Sequence, residues 1–344
     1  MITKHTIPCL DLKQIAESGQ CFRMNPLDLL PEGTDYGYRI ISRGRLLDIW
    51  QQGQELTFDC AGEDLDFWLD YFDIATDYQA MINCVAPGNT YLAEAAQAGK
   101  GIRILKQDPW EMIITFVISQ QKTIPKIRQL VEALCASYGT PVNGALVNGA
   151  LVNGALVNGA PVNGTPVNGA PVNGTPANGI PGKGPEVSID GPDSSQRLFS
   201  FPSPEELSRA SLDELKELKL GYRAKYIYQL CQDAVSGALD LAMLDTMDYD
   251  AALLYLTGFY GIGKKVANCV CLFGLHHIGA FPVDTWIEKI LMAQYYDKRK
   301  YRRTPKTCLC DTIVKDVFGQ YGGCAGVMQQ YIFYYERLRN SKLS

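Results

Sequence analysis

A five-residue repeat, Val-Asn-Gly-Ala-Leu drifting to Val-Asn-Gly-Thr-Pro, runs from Val142 to Pro181 and divides the chain. Asn-Gly pairs favour turns and proline withdraws backbone donors, so the tract builds no regular packed element of its own. Solenoid units span about 20 residues or more, and a five-residue unit is too short for that architecture. Residues 140–197 therefore read as a low-complexity loop insert, expected to be disordered, an expansion without function rather than a binding segment. The fold must be made by the two flanks together.

In the first flank, Tyr38–Ser42, Leu46–Gln51 and Gln54–Cys60 are short runs separated by Arg43-Gly44-Arg45 and Gln52-Gly53, the pattern of an antiparallel meander. From Asp64 the period changes: Leu65, Trp68, Leu69 and Phe72 recur at helical steps. Asp108-Pro109-Trp110-Glu111 opens a further helix through Ile113, Phe116, Val117 and Ile118, because Asp caps well and proline fits the first helical position. After the insert, helices are expected to start at Ser203-Pro204-Glu205-Glu206 and Asp213-Glu214-Leu215, and to run from Lys225 to Ser236. The architecture expected is α+β: an N-terminal antiparallel sheet domain over residues 1–105, then a helical body made of 106–139 and 198–344.

No segment approaches the 18 or so consecutive apolar residues of a membrane span, and the start lacks a secretory leader's layout, so an intracellular protein is expected. Eleven scattered cysteines, odd in number, read as reduced thiols. Cys269-Val270-Cys271 and Cys308-Leu309-Cys310 are C-x-C pairs, too close for usual zinc or iron-sulfur spacing, and three histidines add little; no metal and no cofactor are expected. The net charge of −5 argues mildly against nucleic acid, but it is uneven. Residues 1–139 carry 12 basic and 18 acidic side chains, whereas 205–344 carry 18 and 16. The densest basic run, Lys298-Arg299-Lys300 with Arg302 and Arg303, reads as a solvated loop before a phosphate contact.

The most informative stretch is Tyr249 to Trp286. Asp250–Leu256 reads as a helix, Gly258 to Gly263 as a tight turn, and Lys264–Leu275 as a second helix, a hairpin over about 250–276. Gly261 and Gly263 permit positive φ and let backbone N–H groups face outward at a helix start. Such a turn binds phosphate without basic side chains, so an acidic chain can still hold DNA. On local sequence alone Lys265 reads as a phosphate contact before a nucleophile. Asp284 fits a helix start, where Thr285 and Glu288 form a capping-box pattern.

Gly261-Ile262-Gly263-Lys264-Lys265-Val266-Ala267 followed by Phe281-Pro282-Val283-Asp284 resembles the motif of helix-hairpin-helix DNA glycosylases. Gly19-Gln20-Cys21-Phe22-Arg23, Gly221 through Tyr226, and Ala325-Gly326 through Phe333 resemble segments of the 8-oxoguanine DNA glycosylase/AP lyases within that superfamily. The similarity covers the chain apart from the insert. It implies a TBP-like antiparallel N-terminal sheet domain, an all-α glycosylase body, and a monomer acting on double-stranded DNA that contains oxidised guanine. It implies that Lys265 attacks C1′ to form a Schiff base before β-elimination, a step that requires an unprotonated amine. Asp284 would stabilise positive charge developing on the sugar, helped by a helix N-terminus that keeps it ionised.

The base must leave the stack to be reached. By resemblance, Cys269 and Phe333 sandwich it, Gln329 reads its Watson–Crick edge, and the backbone carbonyl of Gly19 accepts from the N7 hydrogen that guanine lacks. From the residues alone, Gly19 equally well ends the preceding helix. On the opposite strand resemblance assigns Gln121 as gap filler, Tyr222 as wedge and Arg223 as reader of the orphaned cytosine. The chain departs from the family at Lys126, where a second arginine is usual and lysine lacks the planar fork. It departs again at Trp286, in place of a phosphate-binding histidine, and at Phe259-Tyr260 before the hairpin glycines. Two rivals remain open. A relative acting on other bases would usually carry a four-cysteine cluster near the C-terminus, for which Cys308, Cys310 and Cys324 are unsuitably spaced. A non-enzymatic DNA-binding module would use the hairpin only as a clamp.

Overall fold

The computed structural model describes residues 1–142 and 198–341. The repeat tract, and with it the expectation of disorder over 140–197, lies almost wholly outside the described residues. Five strands form one antiparallel sheet: β1 (Ile2–Thr6), β2 (Met24–Pro26), β3 (Tyr36–Ser42), β4 (Arg45–Gln52) and β5 (Glu55–Cys60), in spatial order β1-β5-β4-β3-β2. The meander β3-β4-β5 is where the short runs and the turns between them placed it, with Ile40 opposite Leu47 and Ile49 opposite Phe58. Arg43 and Gly44 both have positive φ, 49° and 74°, as a two-residue type I′ turn requires. β1 and β2, the edge strands, carried no such pattern in the sequence.

One sheet face packs on the Leu12–Glu17 helix and on Trp68, Tyr71 and Phe72. A second apolar cluster takes in the helical body and also Tyr78, Ile82, Leu92 and Ala95, so the helices over Tyr78–Asn83 and Thr90–Ala98 share the core of the body rather than that of the sheet. Residues Met1–Val142 and Phe199–Ser344 form one compact unit. At its centre lies the Pro109–Ser119 helix, in which every residue from Pro109 to Ile118 is buried. Asp108 caps it by accepting from the Glu111 N–H at 2.9 Å, with Pro109 in the first turn, as the sequence indicated. Against it packs the Lys264–Phe273 helix, close enough that a Cβ on Gly274 would come within 3.1 Å of the Pro109 Cα.

The insert leaves and rejoins this unit at one point. Ser200 N–H donates to the Thr140 carbonyl at 2.8 Å, Thr140 N–H donates to the Ser200 hydroxyl at 3.2 Å, and Pro141 bridges Phe199. No helix among the described residues is long and apolar enough to cross a membrane.

A buried carboxylate ties the first flank to the loop after the Lys264–Phe273 helix. Asp73 accepts from Thr76 (2.8 Å) and Tyr78 (3.0 Å), lies 3.2 Å from His276 Nε2 and 3.4 Å from Lys106 Nζ. Burial alone would raise its carboxyl, but the hydrogen bonds and the His276 imidazole bring it below the ordinary value. A depressed carboxylate stabilises the fold above its unfolded-state pKa and loses that contribution as pH falls through the folded one. Asp73→Asn is therefore expected to cost about 3 kcal/mol near neutral pH. In urea titrations the gap between wild type and variant should close as pH drops below about 4; a gap that stays constant from neutral pH into acid would contradict this.

Candidate active site

Two local features set the chemistry. Gly263 caps the Lys264–Phe273 helix, so Lys265 stands in its first turn and Cys269 one turn further along the same face. Asp284 caps the Thr285–Gln294 helix: its Oδ1 accepts from the N–H groups of Trp286 (3.0 Å) and Ile287 (2.8 Å). The cap is thus Asp284 itself rather than the Thr285/Glu288 box, because its extended backbone turns its own carboxylate onto the free donors. Its Oδ2 accepts from no donor among the described residues.

Lys265, Cys269, Asp284, Gly19, Gln329 and Phe333 line one pocket of about 130 Å³. These are all the residues assigned to chemistry and base binding, drawn from four separate segments. The Lys265 amine donates to the Ser119 hydroxyl at 3.2 Å and sits 5.1 Å from the Phe116 ring centroid. Ser119 in turn donates to the Phe116 carbonyl at 2.7 Å, which fixes its hydroxyl. Lys265 pairs with no carboxylate among the described residues. Phe116 stacks on Phe273 at 5.5 Å and meets Phe22 edge to face at 5.8 Å, giving the pocket an aromatic floor. Burial raises the Cys269 thiol, against the opposing effect of Lys265 beside it.

Gly19 has φ 77° and directly follows the C-cap of the Leu12–Glu17 helix, so it ends the helix and lines the pocket at once. Its loop is anchored by buried Gln20, which donates to the Arg103 carbonyl and accepts from the Leu105 N–H, both at 2.8 Å. Gln329 is buried, and its Oε1 accepts from Gln330 at 2.8 Å. Ser119, Lys122, Gln330 and the three phenylalanines line the same pocket, and none of them has a place in the site as read from the sequence. The contact between Ser119 and Lys265 spans 146 positions and leaves no local trace.

The strand-facing candidates gather elsewhere. Gly261 has φ 92°, and a Cβ there would come within 2.4 Å of the Tyr226 ring, so only glycine fits. Gly263 differs from expectation: its φ is −89°, ordinary extended backbone, with open space where a side chain would stand. Tyr222 and Gln121 are exposed, Gln121 with φ 53° in the turn after the Pro109–Ser119 helix. Arg223 is buried, donating to the carbonyls of Leu220 and Gln120. Lys126 donates to Gln129, one turn away on its own helix. Trp286 lines a separate groove of about 160 Å³ with Lys289, Ile290 and Glu336. Among the described residues no cluster of side chains fits a metal ion.

Residues 2–113 match the family model described as 8-oxoguanine DNA glycosylase, N-terminal domain, and residues 186–326 match that of the HhH-GPD superfamily base excision DNA repair proteins. The N-glycosylase/DNA lyase of Saccharomyces cerevisiae is 28% identical over 251 residues, 69% of this chain and 54% of that protein. The chain spans about half the length of the curated relatives it matches. Among solved structures, MBOgg1 in complex with a low-affinity DNA ligand superposes with TM-score 0.73 at 28% identity, over 98% of this chain and 96% of that one. The Clostridium acetobutylicum 8-oxoguanine glycosylase/lyase bound to DNA shares the fold, with TM-score 0.73 at 23% identity over 99% and 98% of the two chains.

A thiol raised by burial is a poor nucleophile. At pH 8 an alkylating reagent is expected to label exposed Cys84 and Cys308 at least about tenfold faster than Cys269. Peptide mapping of the labelled protein checks this, and early modification at Cys269 would show an open, activated thiol instead.

Proposed function

The chain belongs to the HhH-GPD superfamily of base excision DNA repair proteins and carries the N-terminal domain of 8-oxoguanine DNA glycosylases, and we propose from that premise that it excises 8-oxoguanine from duplex DNA and then cuts the strand. The observation that carries the proposal is the meeting of Lys265, Asp284, Cys269, Gln329 and Phe333 around one pocket.

The unprotonated Lys265 amine attacks C1′ of the extruded nucleotide, and the bond from C1′ to the base breaks with its electron pair leaving on the base. Loss of a proton and ring opening give a Schiff base, from which β-elimination releases the 3′ strand. Ser119 supports this role by holding the amine at the pocket wall from a hydroxyl that is itself fixed. Asp284, with Oδ1 committed to two backbone donors, keeps Oδ2 for the cation developing on the sugar. Cys269 and Phe333 take the two faces of the base, Gln329 its edge, and the Gly19 carbonyl the N7 hydrogen of the oxidised form.

Gly261 and Gly263 present the hairpin N–H groups to a backbone phosphate. Gln121 and Tyr222 are the exposed probes for the gap and the stack. Arg223 is sequestered on backbone carbonyls, so reading the opposite cytosine requires its guanidinium to leave Gln120. Lys126 and Trp286 contribute charge and a ring edge at the DNA surface rather than a bidentate fork. On this proposal the protein acts as a monomer inside the cell.

Borohydride trapping on duplex containing 8-oxoguanine opposite cytosine tests the assignment. The wild-type protein is expected to give a covalent adduct that Lys265→Gln abolishes. Asp284→Asn should lower single-turnover base release by roughly 10²-fold or more, with duplex binding kept. Tight binding with neither adduct nor base release from the wild type would support a clamp and end the enzymatic proposal.

A further inference from the structure

Two independent linkages converge on one glycine of the hairpin loop. The first is aromatic. Tyr222 and Tyr226 meet edge to face with centroids 5.7 Å apart, and Tyr226 meets Tyr260 in the same way at 4.7 Å. The root of the middle ring packs against Gly261, the position where a Cβ would come within 2.4 Å of it. The second linkage is polar. Gln120 donates from Nε2 to the Gly261 carbonyl at 2.9 Å, and its own carbonyl accepts from Arg223, whose guanidinium lies 4.4 Å from the Tyr222 ring centroid. Gln121, the next residue, is exposed and has φ 53°. The hairpin loop, the turn carrying Gln121 and the turn carrying Tyr222 therefore meet in one cluster.

The two ends of the tyrosine ladder are its exposed members, Tyr260 at 58% and Tyr222 at 44%. Tyr260 stands immediately before the glycine whose N–H groups would face a phosphate, and Tyr222 stands where a wedge would enter the stack. Tyrosine rings in edge contact limit one another's freedom, since each is rigid and turns about only two side-chain torsions. With Gly261 as its wall, Tyr226 cannot yield toward the loop.

We infer that Tyr260 is a positioning residue for base extrusion. Together with Tyr226 it braces Tyr222, so that seating the hairpin on a backbone phosphate sets the depth of the wedge. This rests on the repair function proposed above, and it adds to that function a residue outside the base pocket. A tyrosine that merely added contact area on DNA would weaken every reaction of the protein alike. A brace for the wedge acts only where a base must leave the stack, and a duplex with a preformed abasic site contains no base to extrude.

Full-length wild type, Tyr260→Ala and Tyr260→Phe are compared in two single-turnover reactions: base release from duplex containing 8-oxoguanine, and borohydride trapping on duplex containing an abasic site. Tyr260→Ala is expected to slow base release about tenfold, the scale of loss that misplacement produces. Its trapping at the abasic site should stay within about twofold of wild type, and Tyr260→Phe, which keeps the ring, should match wild type in both reactions. Fluorescence of 2-aminopurine beside the lesion should show slower unstacking with Tyr260→Ala. The inference is overturned if Tyr260→Ala releases base at the wild-type rate, or if it loses both reactions in equal measure. A wild-type protein inactive in both would instead remove the repair function on which the inference rests.

Discussion

The Pro109–Ser119 helix is the constraint on which the remaining structure depends. It is apolar nearly all round, so it must be buried on every side, and only a core built from both flanks of the insert can do that. The close crossing at Gly274 then fixes where the Lys264–Phe273 helix runs. Because Phe116 and Ser119 lie one turn apart on the buried helix, the same packing that hides Phe116 delivers a hydroxyl to the Lys265 amine. The surroundings of the Lys265 amine are thus set by packing, against a helix buried along nearly its whole length.

Elements with strong local signals were legible in the sequence. The meander showed through its short runs and the turn residues between them, the central helix through Asp108-Pro109, and the hairpin through its glycines. The edge strands were not legible, because β1 and β2 are short and take their conformation from β5 and β3. The site separates in the same way. Lys265, Asp284, Cys269, Gln329 and Phe333 carried motif signals, whereas Ser119, Lys122 and Gln330 reach the pocket through tertiary contacts that no spacing rule encodes. Two local rules also gave way to geometry. Asp284 displaced Thr285 as the cap, and Gly263 proved conformationally ordinary while Gly261 did not. Position 261 demands glycine because Tyr226 occupies the space beside it, a reason that only the folded chain supplies.

Net negative charge does not conflict with a nucleic-acid surface built in this manner. The hairpin offers oriented backbone dipoles, whose strength is independent of side-chain charge, and the ammonium of Lys264 beside it is already paired with Asp311 at 2.5 Å. Such a surface gains less from long-range attraction than a basic groove would. On the function proposed, recognition falls to short-range geometry, namely the loop glycine, the tyrosine proposed as wedge and the shape of the pocket.

The clasp between Thr140 and Ser200 has a consequence beyond holding the two flanks in register. Since the chain enters and leaves the compact unit through neighbouring residues, whatever lies between can be cut or exchanged without unthreading the core. The clasp therefore offers a natural site for inserting or exchanging sequence. It offers a port for grafting a reporter domain as well, placed by the fold itself rather than by engineering.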